Sequence, residues 1–443
     1  MSLSDLRESI DKKSALLAII GLGYVGLPVA TEFARAGFDV IGVEQIVDRV
    51  KMINSGQLPM TGIEPGLQSQ LNQVLADGKF RATTDYREIS NREIVLICVE
   101  TPVNPENIPD YQALRSTVNS LGKVMKNGSL IIIESTVSPG TMSGLVQPFL
   151  EQSSQLNIND EFYLGISPER VMPGKLLANL RTVNRVVGGM TPETAETMAV
   201  LYRQITNADV DITDCLTAEL VKCVENAYRD VQIAFANEIA IICESIGGDV
   251  WRVRELVNKS PGRQMLLPGV GVGGHCIPKD PWLLVHSVNE LDVHLRLILA
   301  ARQVNASMPE HFAAVIRKIL KKERVDLNQA RILILGYAYL EETDDSRNSP
   351  SEALQKHLTK MGAEVILHDP YVPGYGGHVP KLAHGCDMLV VAVKHELYRT
   401  LHLNKIFSVM RTPILVDGRG FMDPDLARQA GFKFYALGRD LIA

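Results

Sequence analysis

The most constraining feature of this chain is a glycine-rich turn between a short apolar run and a helical segment near the N-terminus. The apolar run, residues 16–20 (LLAII), is typical of a strand that is buried on both faces of a sheet. Gly21, Gly23 and Gly26 follow it at the spacing GxGxxG, and residues 27–37 have helical character. Glycines let the backbone N–H groups of such a turn, and the N-terminus of the helix, meet a pyrophosphate. This order of elements predicts a doubly wound α/β fold with a dinucleotide-binding turn.

An acidic residue at the end of the next predicted strand strengthens this interpretation. Residues 39–43 form that strand, and Glu44 follows it, 18 residues after Gly26. A carboxylate at this place accepts hydrogen bonds from the ribose hydroxyls and repels a 2′-phosphate. No arginine follows Glu44 until Arg49, so the sequence favours NAD over NADP as the cofactor. A purely structural glycine-rich turn is the alternative.

The alternation of strands and helices continues, and polar residues follow two further predicted strands. Residues 93–99 and 130–134 are β-rich runs, and Thr101 and Thr136 lie in the polar turns after them. Ligands gather beyond the carboxyl ends of the strands in a doubly wound sheet. We therefore expect both threonines to line the nicotinamide side, although threonine after a strand is also ordinary loop punctuation.

The middle of the chain predicts one unusually long helix. Residues 216–246 have a helical pattern without proline or glycine, and Gly247 and Gly248 provide a stop. About 31 residues at a rise of 1.5 Å each would span about 46 Å. Apolar residues occupy more than one face, so we expect the helix to lie between domains or between the two subunits of a homodimer.

A polar stripe runs along this predicted helix. Glu219, Lys222, Asn226 and Arg229 recur at i, i+3 and i+4 spacing and share one face. The stripe is either a solvated row of salt bridges or a catalytic element in which Lys222 and Asn226 project into a cleft. In the second case, a buried lysine and amide stabilise an oxyanion or position a water molecule.

A lone cysteine lies in a glycine-dense loop within residues 269–285 (GVGVGGHCIPKDPWLLV). Cys276 follows His275 and precedes Lys279 and Asp280, and cationic neighbours raise the thiolate fraction of a cysteine. A tight structural turn with a buried cysteine is the alternative. Beside a nucleotide-bound hydride acceptor, however, a nucleophilic thiol indicates an oxidation that passes through a covalent thioester.

The last third of the chain repeats the strand-to-glycine pattern of the opening. Residues 331–336 (RILILG) and 362–369 (GAEVILHD) echo the first strand and the segment that ends at Glu44, but they carry no GxGxxG. We therefore expect a second Rossmann-like domain that binds a nucleotide-like ligand rather than a second dinucleotide. Arg347 and Arg419 follow strands of this repeat and are either phosphate clamps or surface ion pairs. Further strand candidates are residues 388–393 and 414–416.

Composition narrows the class of protein. A chain of 443 residues suggests two or three domains, and 46% hydrophobic and 22% charged residues are ordinary for a globular protein. The net charge of −6 argues against nucleic-acid and anionic-membrane partners, and no apolar stretch reaches the ~18–20 residues of a membrane span. Six scattered cysteines form no CxxC pair, so neither a metal site nor a disulfide scaffold is predicted. The polar first 14 residues lack an apolar signal core, and we expect a cytoplasmic protein whose thiol stays reduced.

Taken together, these segments resemble the UDP-sugar 6-dehydrogenases, the group that includes the UDP-glucose and UDP-N-acetylmannosamine dehydrogenases. The likeness runs nearly end to end. It rests on GLGYVGLP (21–28), STVSPGT (135–141), SPERVMPGK (167–175), AELVKCVENAYR (218–229), GVGGHCIPKDPW (271–282), TDDSRNSP (343–350) and DGRG (417–420). The resemblance implies two Rossmann-like doubly wound domains joined by a helical domain, in a homodimer. The implied boundaries are 1–205 for NAD binding, 206–305 for the helical dimerisation domain and 306–443 for UDP-sugar binding.

The resemblance also implies roles for individual residues. Cys276 is similar to the nucleophile that holds the substrate as a thiohemiacetal and then as a thioester, and Lys222 is similar to the group that stabilises the oxyanion at C6. Asn226 and Asp280 resemble the groups that orient and activate water. Glu169 and Thr136 resemble residues near them, and Arg263 resembles an arginine that reaches the substrate across a dimer interface. The implied cofactor-binding residues are Gly21, Gly23, Tyr24, Val25, Gly26, Glu44, Thr101, Thr136 and Arg347. The implied substrate-binding residues are Glu169, Arg170, Lys222, Asn226, Arg263, Gly273 and Arg419.

Two positions depart from the pattern of the group. It commonly has a proline where this chain has Glu100, and a lysine where this chain has Leu340. The first departure bears on the loop near the nicotinamide, and the second bears on one contact to the nucleotide or sugar. Because Cys276, Lys222 and Asp280 are all present, we still expect an active enzyme.

The implied reaction is a four-electron oxidation of a UDP-sugar at C6 for the synthesis of surface polysaccharide precursors. SPERVMPGK, residues 184–189 (NRVVGG) and the position of Arg263 ahead of Cys276 are closer to the UDP-N-acetylmannosamine dehydrogenases than to the UDP-glucose dehydrogenases. UDP-N-acetylglucosamine and UDP-glucose are the alternative substrates. Two other function classes compete. A two-electron β-hydroxyacid dehydrogenase needs neither Cys276 nor a second nucleotide domain, and a non-catalytic nucleotide sensor has no reason to keep a thiol beside a lysine and an aspartate.

Overall fold

The structure, a computed structural model, describes residues 1–60, 64–172 and 174–439. The chain forms two compact units. The first unit comprises Met1–Glu225 and Trp282–Val293, and the second comprises Asn226–Pro281 and His294–Ala443. The three-domain division at residues 205 and 305 stays a prediction.

The described part of the first unit is built on an eight-stranded sheet. Its strands are β1 (Leu16–Ile20), β2 (Asp39–Val43), β3 (Phe80–Thr83), β4 (Ile94–Ile97), β5 (Ser129–Ile133), β6 (Phe162–Ile166), β7 (Arg185–Gly189) and β8 (Val210–Asp214). Their order is β3-β2-β1-β4-β5-β6-β7-β8. Neighbouring strands are parallel, except that β6 and β7 are antiparallel. The sheet confirms the predicted doubly wound fold.

Both faces of this sheet are buried, which explains why its central strands are continuous apolar runs. Leu17 and Ile19 of β1 pack into one hydrophobic core, whereas Ala18 and Ile20 pack into the other. The helices that cover the sheet are α1 (Leu3–Asp11), α2 (Gly26–Arg35), α3 (Val47–Asn54), α4 (Leu67–Ala76), α5 (Gln112–Gly122), α6 (Gln147–Ser154), α7 (Leu176–Thr182) and α8 (Pro192–Tyr202). Single turns of 3₁₀ and π helix cover Tyr86–Ile89 and Met142–Val146.

The predicted long helix is confirmed. Helix α9 runs from Cys215 to Ile246, and the boundary between the two units falls within it, after Glu225. Its 32 residues correspond to a length of about 48 Å. The helices that follow it are α10 (Val250–Val257), α11 (Cys276–Ser287) and α12 (Leu297–Lys322). Within the described residues, no helix is long and apolar enough to cross a membrane.

The second unit contains the predicted repeat of the strand–helix architecture. Its strands are β9 (Arg331–Leu335), β10 (Glu364–His368), β11 (Met388–Val391), β12 (Ile414–Asp417) and β13 (Lys433–Ala436), all parallel, in the order β10-β9-β11-β12-β13. Its helices are α13 (Pro350–Lys360), α14 (Val379–Leu382), α15 (Glu396–Arg399), α16 (Leu403–Phe407) and α17 (Pro424–Gln429). Strand β9 occupies the place in this sheet that β1 occupies in the first, with one neighbour on each side.

Candidate active site

The three glycines of the first turn serve different purposes. Gly21 has a φ of +90°, and a Cβ on it would lie 2.6 Å from the carbonyl oxygen of Cys98. A Cβ on Gly26 would overlap the carbonyl oxygen of Gly21, so this glycine allows the close packing of α2 against β1. A Cβ on Gly23 would meet no atom within 4 Å. The protein itself therefore does not require glycine at position 23, whereas a pyrophosphate that approaches the backbone does.

Glu44 lies at the carboxyl end of β2, where its carboxylate organises the glycine turn. It accepts hydrogen bonds from the backbone N–H groups of Leu22 (3.2 Å) and Ile46 (3.1 Å) and from the Arg49 guanidinium (3.0 Å). An ionised carboxylate has about four acceptor positions, so these three bonds leave room for a ribose hydroxyl. Tyr24 and Val25 lie half-buried in the same turn. The turn and its acidic residue together fit NAD.

The loops that carry Thr101 and Thr136 are joined by hydrogen bonds. The Thr101 hydroxyl donates to the carbonyl oxygen of Thr136 over 2.6 Å, and the Ser135 hydroxyl donates to the carbonyl of Val99 over 2.6 Å. The side chain of Thr101 is therefore engaged in joining the loop after β4 to the loop after β5. Thr136 is half-buried in the second of these loops. Glu100, the departure noted above, lies exposed beside Thr101.

Glu169 belongs to a buried ionic network in the first unit. Its carboxylate accepts from the Arg185 guanidinium over 2.5 Å, and Arg185 also lies 3.5 Å from Glu134. Glu134 in turn accepts from the Tyr202 hydroxyl over 2.6 Å. Burial raises the pKa of Glu134 to about 7, and the Arg185 charge opposes that shift. Sequence reasoning did not assign roles to Glu134 or Arg185, although each lies at a strand boundary, Glu134 directly after β5 and Arg185 at the start of β7.

Arg170 is held within the same unit by two partners. Its guanidinium lies 2.6 Å from the Glu225 carboxylate and donates to the carbonyl of Asn184 over 2.8 Å. Arg170 is thus fixed between α9 and the chain before β7. A substrate phosphate at this position would compete with Glu225 for the guanidinium.

The polar stripe of α9 is not a solvated row of salt bridges. Glu219 is 2% exposed, and its carboxylate accepts from the backbone N–H groups of Gly140 and Met142, each over 2.8 Å. Burial raises the pKa of Glu219 to about 7, although these backbone N–H groups lower it. Lys222 is half-buried one turn further along the helix. The stripe therefore begins with a buried anchor for the loop after Thr136.

In the second unit, the next member of the stripe contacts the helix that carries the cysteine. The Asn226 amide donates to Asp280 over 2.5 Å, and Asp280 is fully buried. The Lys279 ammonium, which is 5% exposed, lies 2.8 Å from the other oxygen of Asp280. Asn226 and Asp280, predicted separately from the sequence, are thus brought together within hydrogen-bonding distance.

Cys276 is exposed and is the first residue of α11. Thiolates are stabilised at helix N-termini, so this is a suitable place for a nucleophile. The carbonyl of Ile277, the next residue, accepts from Arg302 over 3.2 Å, and Arg302 also donates to the buried Asp230 over 2.8 Å. The start of α11 is therefore attached to α12, and through Asp230 to α9.

One expected cation near the thiol is absent. Burial and the nearby Lys279 charge lower the pKa of His275 to about 4, so its ring is neutral at pH 7. The expectation that His275 supplies positive charge beside Cys276 is wrong, because a half-buried ring next to an ammonium loses its proton. Arg347 is a cation whose charge interacts with the thiolate of Cys276. Its hydrogen bonds to Asp345 raise the pKa of the guanidinium most, and the Cys276 thiolate contributes as a further negative charge.

The remaining predicted residues of the second unit lie in two places. Arg263 is exposed on the loop after α10, where it donates to the carbonyl of Pro261 over 3.3 Å. Gly273 is buried in the loop ahead of Cys276. Arg419 lies in a cleft at the carboxyl ends of β9, β11 and β12. This cleft is lined by Val270, Gly271, Ala338, Tyr339, Glu341, Pro350, Ser351, Ala392, Val393 and Arg419.

Asp369, the counterpart of Glu44 in the second fold, is already saturated with hydrogen-bond donors. Its carboxylate accepts from the backbone N–H groups of Tyr337, Ala338, Tyr371 and Val372, and from His395 over 3.1 Å. Burial opposes ionisation, but these bonds lower the pKa of Asp369 to about 2. Five donors exceed the roughly four acceptor positions of a carboxylate, so no position is left for a ribose.

Comparison with known proteins agrees with this geometry. Residues 15–206 match the NAD binding domain of the UDP-glucose/GDP-mannose dehydrogenase family, residues 216–307 match its central domain, and residues 333–424 match its UDP binding domain. The chain belongs to this family. It is therefore an NAD-dependent dehydrogenase of nucleotide sugars.

Individual members of the family are similar over almost their whole length. A UDP-N-acetyl-D-mannosamine dehydrogenase of Pyrococcus horikoshii is 37% identical over 96% of this chain and 99% of its own. A solved structure of that enzyme from the same organism aligns with a TM-score of 0.90 at 36% identity, over 96% of this chain and 99% of its own. The structure of an NDP-N-acetyl-D-galactosaminuronic acid dehydrogenase from Methanosarcina mazei aligns with a TM-score of 0.85 at 33% identity, over 99% and 98%.

The predicted nucleotide-binding residues fall within the matching domains. The NAD-binding domain contains the glycine turn and Glu44, whereas the cleft with Arg419 is lined by residues of the UDP-binding domain and by Val270 and Gly271 of the central domain. The matches to all three domains favour a nucleotide-sugar dehydrogenase over a two-electron β-hydroxyacid dehydrogenase, which needs no second nucleotide domain, and over a non-catalytic nucleotide sensor.

Proposed function

We propose that this enzyme oxidises the C6 hydroxymethyl group of UDP-N-acetylmannosamine to a carboxylate, as a step in making surface polysaccharide precursors. The observation that carries the proposal is the setting of Cys276. Its thiol is exposed at the start of α11, while Asp280, on the next turn of that helix, is fully buried and bonded to Asn226. A dehydrogenase that stops at an aldehyde has no use for a nucleophile in this position.

The overall reaction consumes one alcohol, two NAD⁺ and one water, and it yields one carboxylate, two NADH and three protons. When bound, NAD accepts one hydride in each oxidation. After the first oxidation, the Cys276 thiolate attacks the C6 aldehyde, a C–S bond forms, and the carbonyl oxygen becomes an alkoxide. After the second hydride has left C6, the product is a thioester on Cys276. Water then breaks the C–S bond, which releases the carboxylate and restores the thiol.

The polar side chains supply charge and position for these steps. The half-buried Lys222 is suited to stabilise the alkoxide at C6, because an ammonium in a partly dry site interacts strongly with developing negative charge. Asn226 and Asp280 are suited to hold the hydrolytic water. Glu169, which Arg185 fixes in one orientation, is suited to accept a proton or a hydroxyl hydrogen bond, and Thr136 lies in the loop tied to Thr101.

The remaining predicted residues are divided between the UDP-sugar and the cofactor. Arg419, Gly273 and the exposed Arg263 are assigned to the UDP-sugar, and Arg347 is assigned to the cofactor side near the thiol. Arg170 is assigned to the substrate on the resemblance alone, and its bonds to Glu225 and to the carbonyl of Asn184 leave further guanidinium N–H groups for a ligand.

The choice of sugar rests on similarity in the motif SPERVMPGK and on the names of the relatives. Both the Pyrococcus and the Methanosarcina relatives are named for N-acetylated hexosamine substrates or products. A site built for an acetamido group leaves buried polar atoms unpaired when glucose binds, which typically reduces kcat/KM by ~10²-fold or more. UDP-N-acetylglucosamine, the C2 epimer, is the second candidate.

The test is a steady-state comparison of UDP-N-acetylmannosamine, UDP-N-acetylglucosamine and UDP-glucose, with NADH counted per molecule of sugar consumed. We expect two NADH per UDP-N-acetylmannosamine and a kcat/KM for UDP-glucose that is lower by ~10²-fold or more. One NADH per sugar would refute the covalent route. A clear preference for UDP-glucose would refute the assigned substrate but leave the route intact.

We also propose that the enzyme is a homodimer that pairs through α9. Large apolar side chains of this helix are 37% to 78% exposed, which is unusual for a folded monomer. They recur at spacings of four and seven residues, namely Leu216, Leu220, Val224, Tyr228, Phe235, Ile242 and Ile246. A second copy would cover this row. A working thiol requires a reducing compartment, for which we propose the cytoplasm.

A further inference from the structure

The two glycines ahead of Cys276 are packed tightly against the segment that follows β9. A Cβ on Gly273 would lie 2.5 Å from the Cβ of Tyr339 and 2.7 Å from the carbonyl oxygen of Asn348. Gly274 has a φ of +84°, and a Cβ on it would lie 2.7 Å from the Tyr339 ring. No other residue type fits either position without moving Tyr339 or Asn348. The loop that carries the thiol is therefore shaped by its contact with the 339–348 segment.

Two hydrogen bonds join this segment to Gly274. The N–H of Gly274 donates to the carbonyl of Arg347 over 2.8 Å, and the Asn348 side-chain amide donates to the carbonyl of Gly274 over 2.9 Å. The N–H and the carbonyl of Gly274 are thus held by Arg347 and Asn348, two adjacent residues of one turn. Gly274 is two residues before Cys276, so the bonds fix the chain at the point where it enters α11.

The turn that makes these bonds is itself well fixed. Asp345 accepts from the backbone N–H of Arg347 over 3.1 Å and pairs with the guanidinium of the same residue. The Ser349 hydroxyl donates to the carbonyl of Tyr337 over 2.6 Å. As the N-cap of α13, it also accepts from the backbone N–H of Glu352. Asn348 has a φ of +50°, a left-handed conformation that asparagine tolerates better than most residues. Its amide is therefore presented to Gly274 from a rigid support.

The same segment also reaches the nucleotide cleft. Tyr339 and Pro350 line the cleft that contains Arg419, and the same two residues pack against Gly273. The family model assigns this part of the chain to the UDP binding domain. The segment that includes the turn at Asn348 thus contacts both the cleft that contains Arg419 and the loop that carries Cys276.

We infer that Asn348 is a positioning residue for the reaction: its amide holds the carbonyl of Gly274 and thereby places the Cys276 thiol at the start of α11. The inference rests on the proposed role of Cys276. Asn348 is exposed, so its replacement removes the bond without leaving a buried cavity.

The decisive variant is Asn348→Gly, because glycine keeps the left-handed backbone and removes only the amide. Asn348→Asp is the second variant, since it replaces the donor with an acceptor that faces the Gly274 carbonyl. Asn159→Gly is the matched control. Asn159 has a comparable φ of +67°, lies exposed in the loop before β6, and has no place in the proposed site.

Four quantities are measured on the full-length enzyme: kcat and KM with UDP-N-acetylmannosamine, Kd for UDP, and the rate of Cys276 alkylation by iodoacetamide at pH 7, followed by peptide mass spectrometry. We expect kcat to fall by about 10- to 100-fold in both Asn348 variants, because small misplacements of a reacting group are costly. The Cys276 thiol is already exposed, so its alkylation rate reports the thiolate fraction. We expect a thiol displaced from the start of α11 to have a lower thiolate fraction and to be alkylated roughly threefold more slowly, or slower still. Kd for UDP and all values for Asn159→Gly should stay within about twofold of the wild type.

An alkylation rate and kcat of Asn348→Gly within twofold of the wild type would overturn the inference. A loss of UDP binding together with kcat would also overturn it, since Asn348 would then support the nucleotide site rather than the thiol. If the proposed function were wrong, the result would differ from both of these outcomes. In that case the wild type makes no NADH from the sugar, while the alkylation assay still compares the position of the thiol in the variants.

Discussion

At the scale of single residues, partners already present in the protein decide what a carboxylate can bind. Glu44 has three donors and Asp369 has five, although the two residues occupy equivalent ends of equivalent strands. One acceptor position on Glu44 therefore remains for a ribose, and none remains on Asp369. This difference was not visible in the sequence, where both residues simply follow a glycine and an apolar run.

Glu44→Gln should weaken the discrimination between the two cofactors. The amide keeps one acceptor oxygen but loses the charge that repels a 2′-phosphate, and it releases Arg49, which lies 3.0 Å from the carboxylate in the wild type. We expect the ratio of kcat/KM for NAD to that for NADP to fall by about 10- to 100-fold, as for the loss of one charged contact. The exposed Asp48→Asn is the control. An unchanged ratio in Glu44→Gln would show that Glu44 does not set the preference.

At the scale of secondary-structure elements, most of the proposals depend on helix α9. The absence of glycine and proline between residues 216 and 246 was enough to predict its bounds to within one residue. The predicted polar stripe was harder to interpret, because spacing alone does not distinguish a solvated carboxylate from a buried one. Glu219 anchors the loop after β5 from inside the protein, which its spacing in the helix does not show.

The raised pKa of Glu219 predicts a pH dependence of stability. Burial raises this pKa from 4.5 to about 7 in the folded protein, so the folded state binds more protons than the unfolded state between these values. Stability that Glu219 contributes in its protonated form is therefore present below about pH 4.5 and lost as the pH rises towards 7. We expect Glu219→Gln, which cannot ionise, to remove this loss.

The measurement is the melting temperature of wild type and Glu219→Gln at pH 5, 6, 7 and 8. The wild type should lose about 1–3 kcal/mol relative to the variant across this range, because each pKa unit corresponds to about 1.4 kcal/mol. Parallel curves for the two proteins would mean that Glu219 is ionised in the folded state throughout.

The exposed apolar row on α9 predicts that a single charge will separate the subunits. Phe235 is 55% exposed, and Phe235→Glu would place a carboxylate against the partner helix in the proposed dimer. We expect light scattering at micromolar concentration to give the mass of a dimer for the wild type and a mass approaching that of a monomer for the variant. Glu238→Gln, an exposed change on the same helix, should remain dimeric. A monomeric, fully active wild type would contradict the proposal.

At the scale of the whole molecule, the sequence predicted the two doubly wound sheets because their central strands are unbroken apolar runs. Strands β3, β6, β7, β8 and β13 were not predicted, for the opposite reason. The segments FYLGI and RVVGG contain glycine, and FRAT, VDITD and KFYA carry charged or polar residues, so none of them is an unbroken apolar run. The buried network around Arg185 was missed with them, because β7 carries that arginine.

The site could be predicted only as far as separate motifs allow. The motifs named Cys276, Asn226 and Asp280, but they did not show that Asn226 donates to Asp280 or that His275 is neutral. They also gave no role to Asn348, because its bond to Gly274 joins residues that are 74 positions apart. Contacts of this kind depend on tertiary packing, which no local pattern encodes.

The central claim is that Cys276 carries the substrate as a thioester, and the most direct measurement is the mass of its peptide after a rapid acid quench. The enzyme is mixed with UDP-N-acetylmannosamine and NAD for one turnover, quenched, digested and analysed, with Cys276→Ser as the control. Serine is a poor nucleophile at neutral pH, so the variant should still bind NAD but make almost no uronate. We expect the wild-type peptide that contains Cys276 to carry the UDP-uronyl group during turnover and to lose it as uronate appears. Formation of two NADH and uronate with no adduct on this peptide, or near-normal uronate production by Cys276→Ser, would contradict the account.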